Sequence, residues 1–341
     1  MVQTIEPRAD GMSKLGRQSP PARIKVIGVG GGGCNAVRRI MECEQVPGVA
    51  CLAVNTDVKS LDSLSGVGST TVVQIGETIT HGTGAGGDAR VGARAAEESH
   101  YNLKRAMMGA ELVFITAGMG GGTGTGAAPL VARAARETHA LIVAVVTTPF
   151  SFEGHKRLDD AMAGIARLRP EVDNLIVVHN DKLLRLMSED ASMEEAFKTA
   201  DGVVTQGIMS ISKLVNVPGE INVDLADVKT VLHIPGTALM AIGIGEGIRC
   251  ALDAAEQAIA NPLLDVTMDG AKGLLFNVEG GPDLKLGQVN EAGRRLSSCA
   301  DKNARIFFGF MTPRPELEGQ ARITLIATGI KEKNLKRGLF S

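Results

Sequence analysis

At 341 residues the chain is long enough for two domains, each with a core of its own. Hydrophobic residues make up 44% and charged residues 22%, with a net charge of −2, so nothing global draws the protein to nucleic acid or an anionic lipid surface. Nine Phe, one Tyr and no Trp leave little for a base-stacking platform. The five cysteines are odd in number and form no C-x-x-C pair, which fits a reduced cytoplasm rather than a disulfide framework. The six histidines show no metal spacing, no apolar run reaches membrane-spanning length, and the N-terminus lacks the apolar core of a signal peptide.

Residues 1–22 are polar and carry Pro7, Gly11, Pro20 and Pro21, so they are expected to form a disordered tail. Residues 24–29 read as the first strand, 30–35 as a glycine turn, and 36–41 as the start of a helix. Gly28, Gly30 and Gly33 satisfy G-x-G-x-x-G, the dinucleotide fingerprint, which also wants an acidic residue after the next strand. Residues 49–54 supply that strand, and Asn55-Thr56-Asp57 follows it. A short strand at 72–76 leads to a further glycine loop at 81–88 and one alanine-rich helix over 89–107.

The centre of the pattern is residues 118–126, GMGGGTGTG. An apolar strand precedes it (112–117), and a stretch with helical periodicity follows from Ala127, where Pro129 fits only a first turn. A strand feeding a glycine turn that feeds a helix aims backbone N–H groups and the positive end of the helix dipole at a phosphate. Thr123 and Thr125 add hydroxyl donors. No G-x-x-x-x-G-K-[ST] motif occurs, and none of the three glycine loops holds a lysine. Phosphate charge must then be met by backbone, helix dipoles and a cation, which implies Mg²⁺ bound mainly through phosphate oxygens and water, with no protein metal ligands.

A strand at 141–146 is followed by a helix with Leu158, Ala161, Met162, Ile165 and Leu168 on one face. Glu153 and Arg157, four apart at its start, read either as a solvated ion pair or as ligand groups at a strand's carboxyl end. After a strand at 175–178, residues 192–217 form one long helical pattern ended by Pro218-Gly219, long enough to bridge two domains. Beyond it the pattern changes to helices at 243–259 and 286–299 and strands at 273–278, 304–310 and 322–328, a smaller α+β domain. The organisation expected is a tail (1–22), a Rossmann-like parallel-sheet nucleotide domain (23–190), a long central helix (191–218), a C-terminal α+β domain (219–330) and a short tail (331–341). Asn222, Asp224 and Asp227 stand directly after the central helix. Two carboxylates three apart on a helical turn would polarise a water for attack on a γ-phosphate, or would simply complement the dipole at a helix start.

These motifs resemble the tubulin/FtsZ superfamily. The resemblance runs over nearly all of residues 22–330: IKVIGVGGGGCNAV from 24, AVNTD from 53, GTGAG from 82, GGGTGTG from 120, VAVVTTPFSFEG from 143, NDKLL from 180, AFKTADG from 196 and NVDLADV from 222. It implies GTP and GDP as ligands and a GTPase that polymerises head to tail into the filaments of the bacterial division ring. It further implies Gly31, Gly32, Gly33, Cys34 and Asn35 as the first nucleotide loop and Gly122, Thr123 and Gly124 as phosphate contacts. Glu153 and Arg157 would lie on the ribose side, Asn180 and Asp201 would read guanine, and Phe197 would pack near the base. Asn222, Asp224 and Asp227 would complete the catalytic site of the next subunit. Cys34 replaces the small residue usual there, and the long linker and terminal peptide usual in the family do not follow residue 330. Division regulators and membrane tethers are expected partners; the tethers that read that peptide are the ones this departure affects. Two other readings compete: an NAD-dependent oxidoreductase, resting on Gly28, Gly30 and Gly33 alone, and a nucleotide-gated scaffold that does not hydrolyse.

Overall fold

The computed structural model describes residues 20–330 except 44, 69, 185–186, 189–190 and 262–266. Most of the tail expected at the N-terminus and all of the one at 331–341 lie outside the described residues. Residues 20–22 are described, and Ala22 is clamped: its N–H donates to Asn216 Oδ1 at 2.9 Å and its carbonyl accepts from Asn216 Nδ2 at 2.8 Å.

The first half alternates as the sequence suggests. In order come β1 (Ile24–Val29), α1 (Gly30–Glu42), β2 (Val49–Asn55), α2 (Val58–Asp62), β3 (Thr71–Gln74), α3 (Glu77–Thr80), α4 (Ala89–Glu98), α5 (His100–Met107), β4 (Leu112–Gly118) and α6 (Gly122–Arg136). Then follow β5 (Leu141–Thr148), α7 (His155–Leu168), β6 (Asn174–His179), α8 (Asn180–Leu183) and the long α9 (Met193–Asn216). The six strands pair in parallel in the order β3-β2-β1-β4-β5-β6, with β1 and β4 side by side at the point where strand order reverses. Open α/β sheets bind ligands at that crevice, outside the carboxyl ends of the strands.

The second half holds β7 (Gly219–Ile221), α10 (Leu225–Leu232), β8 (Thr237–Glu246), α11 (Cys250–Ile259), β9 (Ala271–Gly280), α12 (Leu286–Ser297), β10 (Ala300–Met311) and β11 (Gln320–Ile330). Its five strands order as β7-β10-β9-β11-β8 and are mixed, with β9 and β10 parallel and the other pairs antiparallel.

α9 ties the halves together. Its buried residues Ala200, Val204, Ile208, Ile211 and Leu214 share one apolar cluster with Val26, Phe114 and Val143 of the first sheet and with Met240, Leu275 and Ile326 of the second. Ser192 caps its start, accepting from the Glu195 N–H, while the Glu195 carboxylate accepts from the Ser192 N–H.

Five local expectations differ from the structure. The helix expected over 89–107 is two helices that meet at Ser99, whose backbone leaves helical geometry (φ −97°, ψ 13°) and whose hydroxyl accepts the Gly76 N–H at 3.1 Å. α6 begins at Gly122 rather than Ala127, so Pro129 sits well inside it and leaves the Thr125 carbonyl without its usual helical donor. Likewise α1 starts at Gly30, so the glycine turn is itself the helix's first turn. On α7, Leu158 and Met162 are exposed, and the buried face is Ala161, Gly164, Ile165 and Leu168. Most consequentially, the helix expected from Gly243 to Ile259 is the end of β8 followed by α11. Gly243 and Gly245 lie so close under α11 that a Cβ on either would collide with the carbonyl of Ala254 or Cys250. The packing that demands glycine there erased the alternation that marks a strand.

The same close approach sets α4 against α6, since a Cβ at Gly126 would strike the Ala89 carbonyl. Gly126→Ala is therefore expected to lower stability by about 1–3 kcal/mol through overpacking, read as a lower urea midpoint. An unchanged midpoint would show that the two helices can part there freely.

Candidate functional site

A cavity of about 440 Å³ opens at the carboxyl ends of β1, β4, β5 and β6. Two glycine-rich helix starts form its floor. Gly31 and Gly32 of α1 and Gly122, Thr123 and Gly124 of α6 line it, with Gly118, Met119 and Gly121 between β4 and α6. Neither helix start carries a side-chain cap. Both uncapped starts therefore turn unbonded N–H groups and two positive dipole ends toward one space, an arrangement suited to a polyanion.

Two backbone positions require glycine. Gly30 has φ +72° and leaves no room for a Cβ, which would lie 2.8 Å from the Gly124 nitrogen. Gly120 has φ +100°, and its Cβ would lie 2.7 Å from the Arg157 carbonyl. The two loops thus interlock, each holding the other's shape.

Several predicted residues serve the frame instead of the cavity. Thr125 is fully buried, and its Oγ1 accepts the Gly120 N–H at 2.7 Å, fixing the loop from behind. Thr123 does line the cavity, and its hydroxyl pairs with that of Thr56 at 2.6 Å. Gly33 and Cys34 sit in the wall: a Cβ at Gly33 would meet the Thr116 carbonyl, and Cys34 is 2% exposed with Sγ on the Val54 carbonyl. Burial pushes the Cys34 thiol up to about 12, so it stays protonated and unreactive. The glycine loop at 81–88 does not line the cavity; it bridges to Asp57 through Thr83 and backs Gly122. Asp57, the acidic residue of the fingerprint, spends its carboxylate on the Lys59 N–H at 3.0 Å and the Ser60 hydroxyl at 2.7 Å.

The other end of the cavity is walled by Thr147 and Thr148 at the end of β5 and Pro149 after it, by Asn180 after β6, and by Phe197, Ala200 and Asp201 of α9. Asn35 of α1 also lines it. Thr147, Thr148, Pro149 and Ala200 lie within the family-like stretches from 143 and 196, but nothing in their residue types marks them as cavity-lining. Glu153 and Arg157 belong to different elements, with Gly154 between them, yet they pair at 2.7 Å across the cavity's edge. Phe150 lies beneath, stacked on Phe152 at 5.0 Å and edge-on to Phe197 at 5.3 Å. Asn180 Oδ1 is buried with no protein partner, an acceptor left for a donor from outside the chain.

Asn222, Asp224 and Asp227 are not in this cavity. Asn222 Oδ1 accepts the Gly219 N–H at 2.7 Å and shapes the turn after α9. Asp224 caps α10 by accepting the Asp227 N–H at 2.8 Å, so the dipole-complementing role is real. Asn222 and Asp224 are exposed and Asp227 half-buried. Asp201 stands in the cavity and Asn216 at the far end of the same helix, about 22 Å further on at 1.5 Å per residue. Asn216 also binds Ala22 and Pro47, at the amino end of the parallel sheet. The cavity and the acidic loop therefore occupy opposite ends of the molecule.

A Rossmann-like sheet with two uncapped glycine helix starts at its switch point, and no phosphate-binding lysine in the glycine loops, defines a nucleotide-binding protein of the tubulin-like class. Residues 23–188 match the sequence model of the Tubulin/FtsZ family, GTPase domain, and residues 236–331 that of the FtsZ family, C-terminal domain. The chain is 41% identical to M. jannaschii FtsZ solved as an empty dimer, with TM-score 0.82, covering 90% of this chain and 88% of that one. A point mutant of M. jannaschii FtsZ gives 40% identity and TM-score 0.85 over 91% and 92%. A GTPγS-bound protofilament of CetZ2 from Haloferax volcanii shares the fold at 23% identity and TM-score 0.76 over 91% and 94%. The chain belongs to the FtsZ family and is a GTPase.

Thr125→Val keeps the shape and removes the acceptor for the Gly120 N–H. It is expected to lower stability by about 1–3 kcal/mol, the cost of a buried unpaired donor, and to weaken GDP binding as the loop loosens. Calorimetry of both would check this; parental stability would mean the Gly120 N–H finds another acceptor.

Proposed function

We propose that this protein binds GTP in the cavity at the switch point and hydrolyses it only when a second copy stacks its acidic loop onto that cavity. The observation that carries the reading is the separation just described: one rigid helix holds the cavity at one end and two accessible carboxylates at the other. No bending of a packed helix brings them together within one chain. A head-to-tail neighbour does, and heterologous contacts of that kind extend into open filaments.

On this reading the N–H groups of Gly31, Gly32, Gly122, Thr123 and Gly124 take the phosphates, with Gly33 and Cys34 behind them as support and Asn35 beside them. Glu153 and Arg157 meet the ribose. Asn180 and Asp201 accept from the N1–H and 2-amino group of guanine, and Phe197 packs on the base. Among the described residues no His, Cys, Asp or Glu cluster forms a metal site, and the cavity's one lining glutamate is already paired with Arg157. These residues fit Mg²⁺ held by phosphate oxygens and water, where it would neutralise charge developing on the transferred phosphoryl group. From the neighbouring copy, Asn222 shapes the loop while Asp224 and Asp227 orient the attacking water. Positioning of this kind carries most of the rate in phosphoryl transfer.

Phe152 beside the cavity is 54% exposed and Ile221 beside the acidic loop 43% exposed, so each end has an apolar side chain that a stacked copy would cover, as other faces of the molecule also do. A chain of this family assembling head to tail in the cytoplasm would serve as the filament of the bacterial division ring, with division regulators and membrane tethers as partners. No described helix is long and apolar enough to cross a membrane.

GTP turnover per molecule is expected to rise with protein concentration above a threshold, measured as phosphate release across a dilution series. Asp227→Ala is expected to keep its GDP-induced rise in melting temperature yet lose turnover by about 10²-fold or more. Turnover per molecule that is independent of concentration, or normal in Asp227→Ala, would sink the shared site.

A further inference from the structure

A groove between α1 and α9 adjoins the base end of the cavity and shares Asn35, Phe197 and Asp201 with it. Asp201 therefore looks two ways, toward the cavity and toward the charged faces of two helices. From α1 it meets Arg38, Arg39 and Glu42, from its own helix Glu194 and Lys198, and across the cavity Glu153 and Arg157. Most of these charges are engaged elsewhere. Lys198 pairs with Glu194 at 2.6 Å, Arg38 donates to the Ser63 hydroxyl at 2.8 Å, and Arg157 pairs with Glu153 at 2.7 Å. Arg39 donates from Nε to Asp201 Oδ2 at 3.2 Å, with the two side chains 31% and 17% exposed. One carboxylate oxygen is thereby occupied, and the residue that carries it lines both the groove and the cavity.

We propose that Arg39 is a positioning residue for base selection: it keeps Asp201 an acceptor-only group, turned so that its free oxygen meets the donor edge of guanine. The proposal deepens the reading of Asp201 as a guanine-recognising residue and rests on it. An ionised carboxylate accepts and never donates, which suits the N1–H and 2-amino donors. A protonated one carries an O–H that opposes those donors. Burial pushes the Asp201 carboxyl up from its ordinary value, and the Arg39 hydrogen bond and charge pull it back. With Arg39 gone only the upward push remains. The form that binds guanine is the deprotonated one, so a higher pKa makes affinity start to fall at a higher pH.

The test measures dissociation constants for GDP and for inosine diphosphate, which lacks the 2-amino group. Parent, Arg39→Gln, Arg39→Lys and Asp201→Asn proteins are compared across a pH series running from mildly acidic to mildly alkaline, with melting temperatures confirming that each is folded. Arg39→Gln is expected to lose about tenfold or more GDP affinity relative to the parent at the acid end, and much less at the alkaline end. Its preference for GDP over inosine diphosphate should shrink in parallel, and Arg39→Lys should restore the parental pH profile. Asp201→Asn should lose the preference at every pH. If Asp201→Asn loses it but Arg39→Gln keeps the parental profile and preference, Asp201 reads the base and Arg39 does not position it. Arg39 is likewise ruled out as a positioning residue if Arg39→Gln weakens both nucleotides equally at all pH values. If Asp201→Asn keeps the preference, the reading of Asp201 fails and the proposal with it.

Discussion

The stiffness of α9 is the constraint on which the rest of the structure depends. A helix of 24 residues, capped at Ser192 and clamped through Asn216, spans the molecule from the base end of the cavity to the acidic loop. Its apolar face is common to both sheets, so moving it would expose a core that belongs to two layers at once. Distance along this helix, rather than any loop motion, separates pocket from carboxylates. The head-to-tail reading follows from that separation: chemistry that needs both ends needs two molecules.

The nucleotide end is organised by a second, smaller constraint, the mutual fit of two glycine loops. Gly30 abuts Gly124, Gly32 lies against Gly118, and Gly120 runs under the Arg157 carbonyl. Side chains would hold these backbones apart, and the amides of α1 and α6 would no longer converge. Thr125 then locks Gly120 from beneath. The glycines are not there for flexibility. They allow close approach, and the nearest neighbours of Gly30, Gly32 and Gly120 are backbone atoms.

Much of this was legible in the residues. Strand–glycine–helix units at 24–41 and 112–136 announced a parallel sheet, since apolar β-branched runs ending in glycine have few other uses. The long helix was legible because apolar residues recur at three- and four-residue spacing without interruption up to Pro218. Helix starts were harder to place, because a glycine reads as a turn even when it occupies a first helical turn, as Gly30 and Gly122 do. β8 was lost for a related reason. Gly243 and Gly245 answer to the backbone of α11, a neighbour that no local window contains. The pairing of Glu153 with Arg157 was anticipated from helical spacing, yet the chain achieves it across Gly154 from two separate elements. Residues 147–149 belong to the family-like stretch from 143, yet their place in the cavity comes from the strand order and not from their chemistry.

Asp224 shows why a structural role and a functional one need not compete. Its carboxylate caps α10 through one oxygen, which pins the side chain at a helix start and leaves the loop exposed. On the proposed head-to-tail reading, a group that orients a water in a neighbour's pocket gains from being fixed beforehand, because less freedom remains to be lost when the neighbour docks. The same logic joins Asp201 to Arg39 and Asn222 to the Gly219 N–H. In each case one polar atom is spent within the chain, which fixes the side chain's orientation.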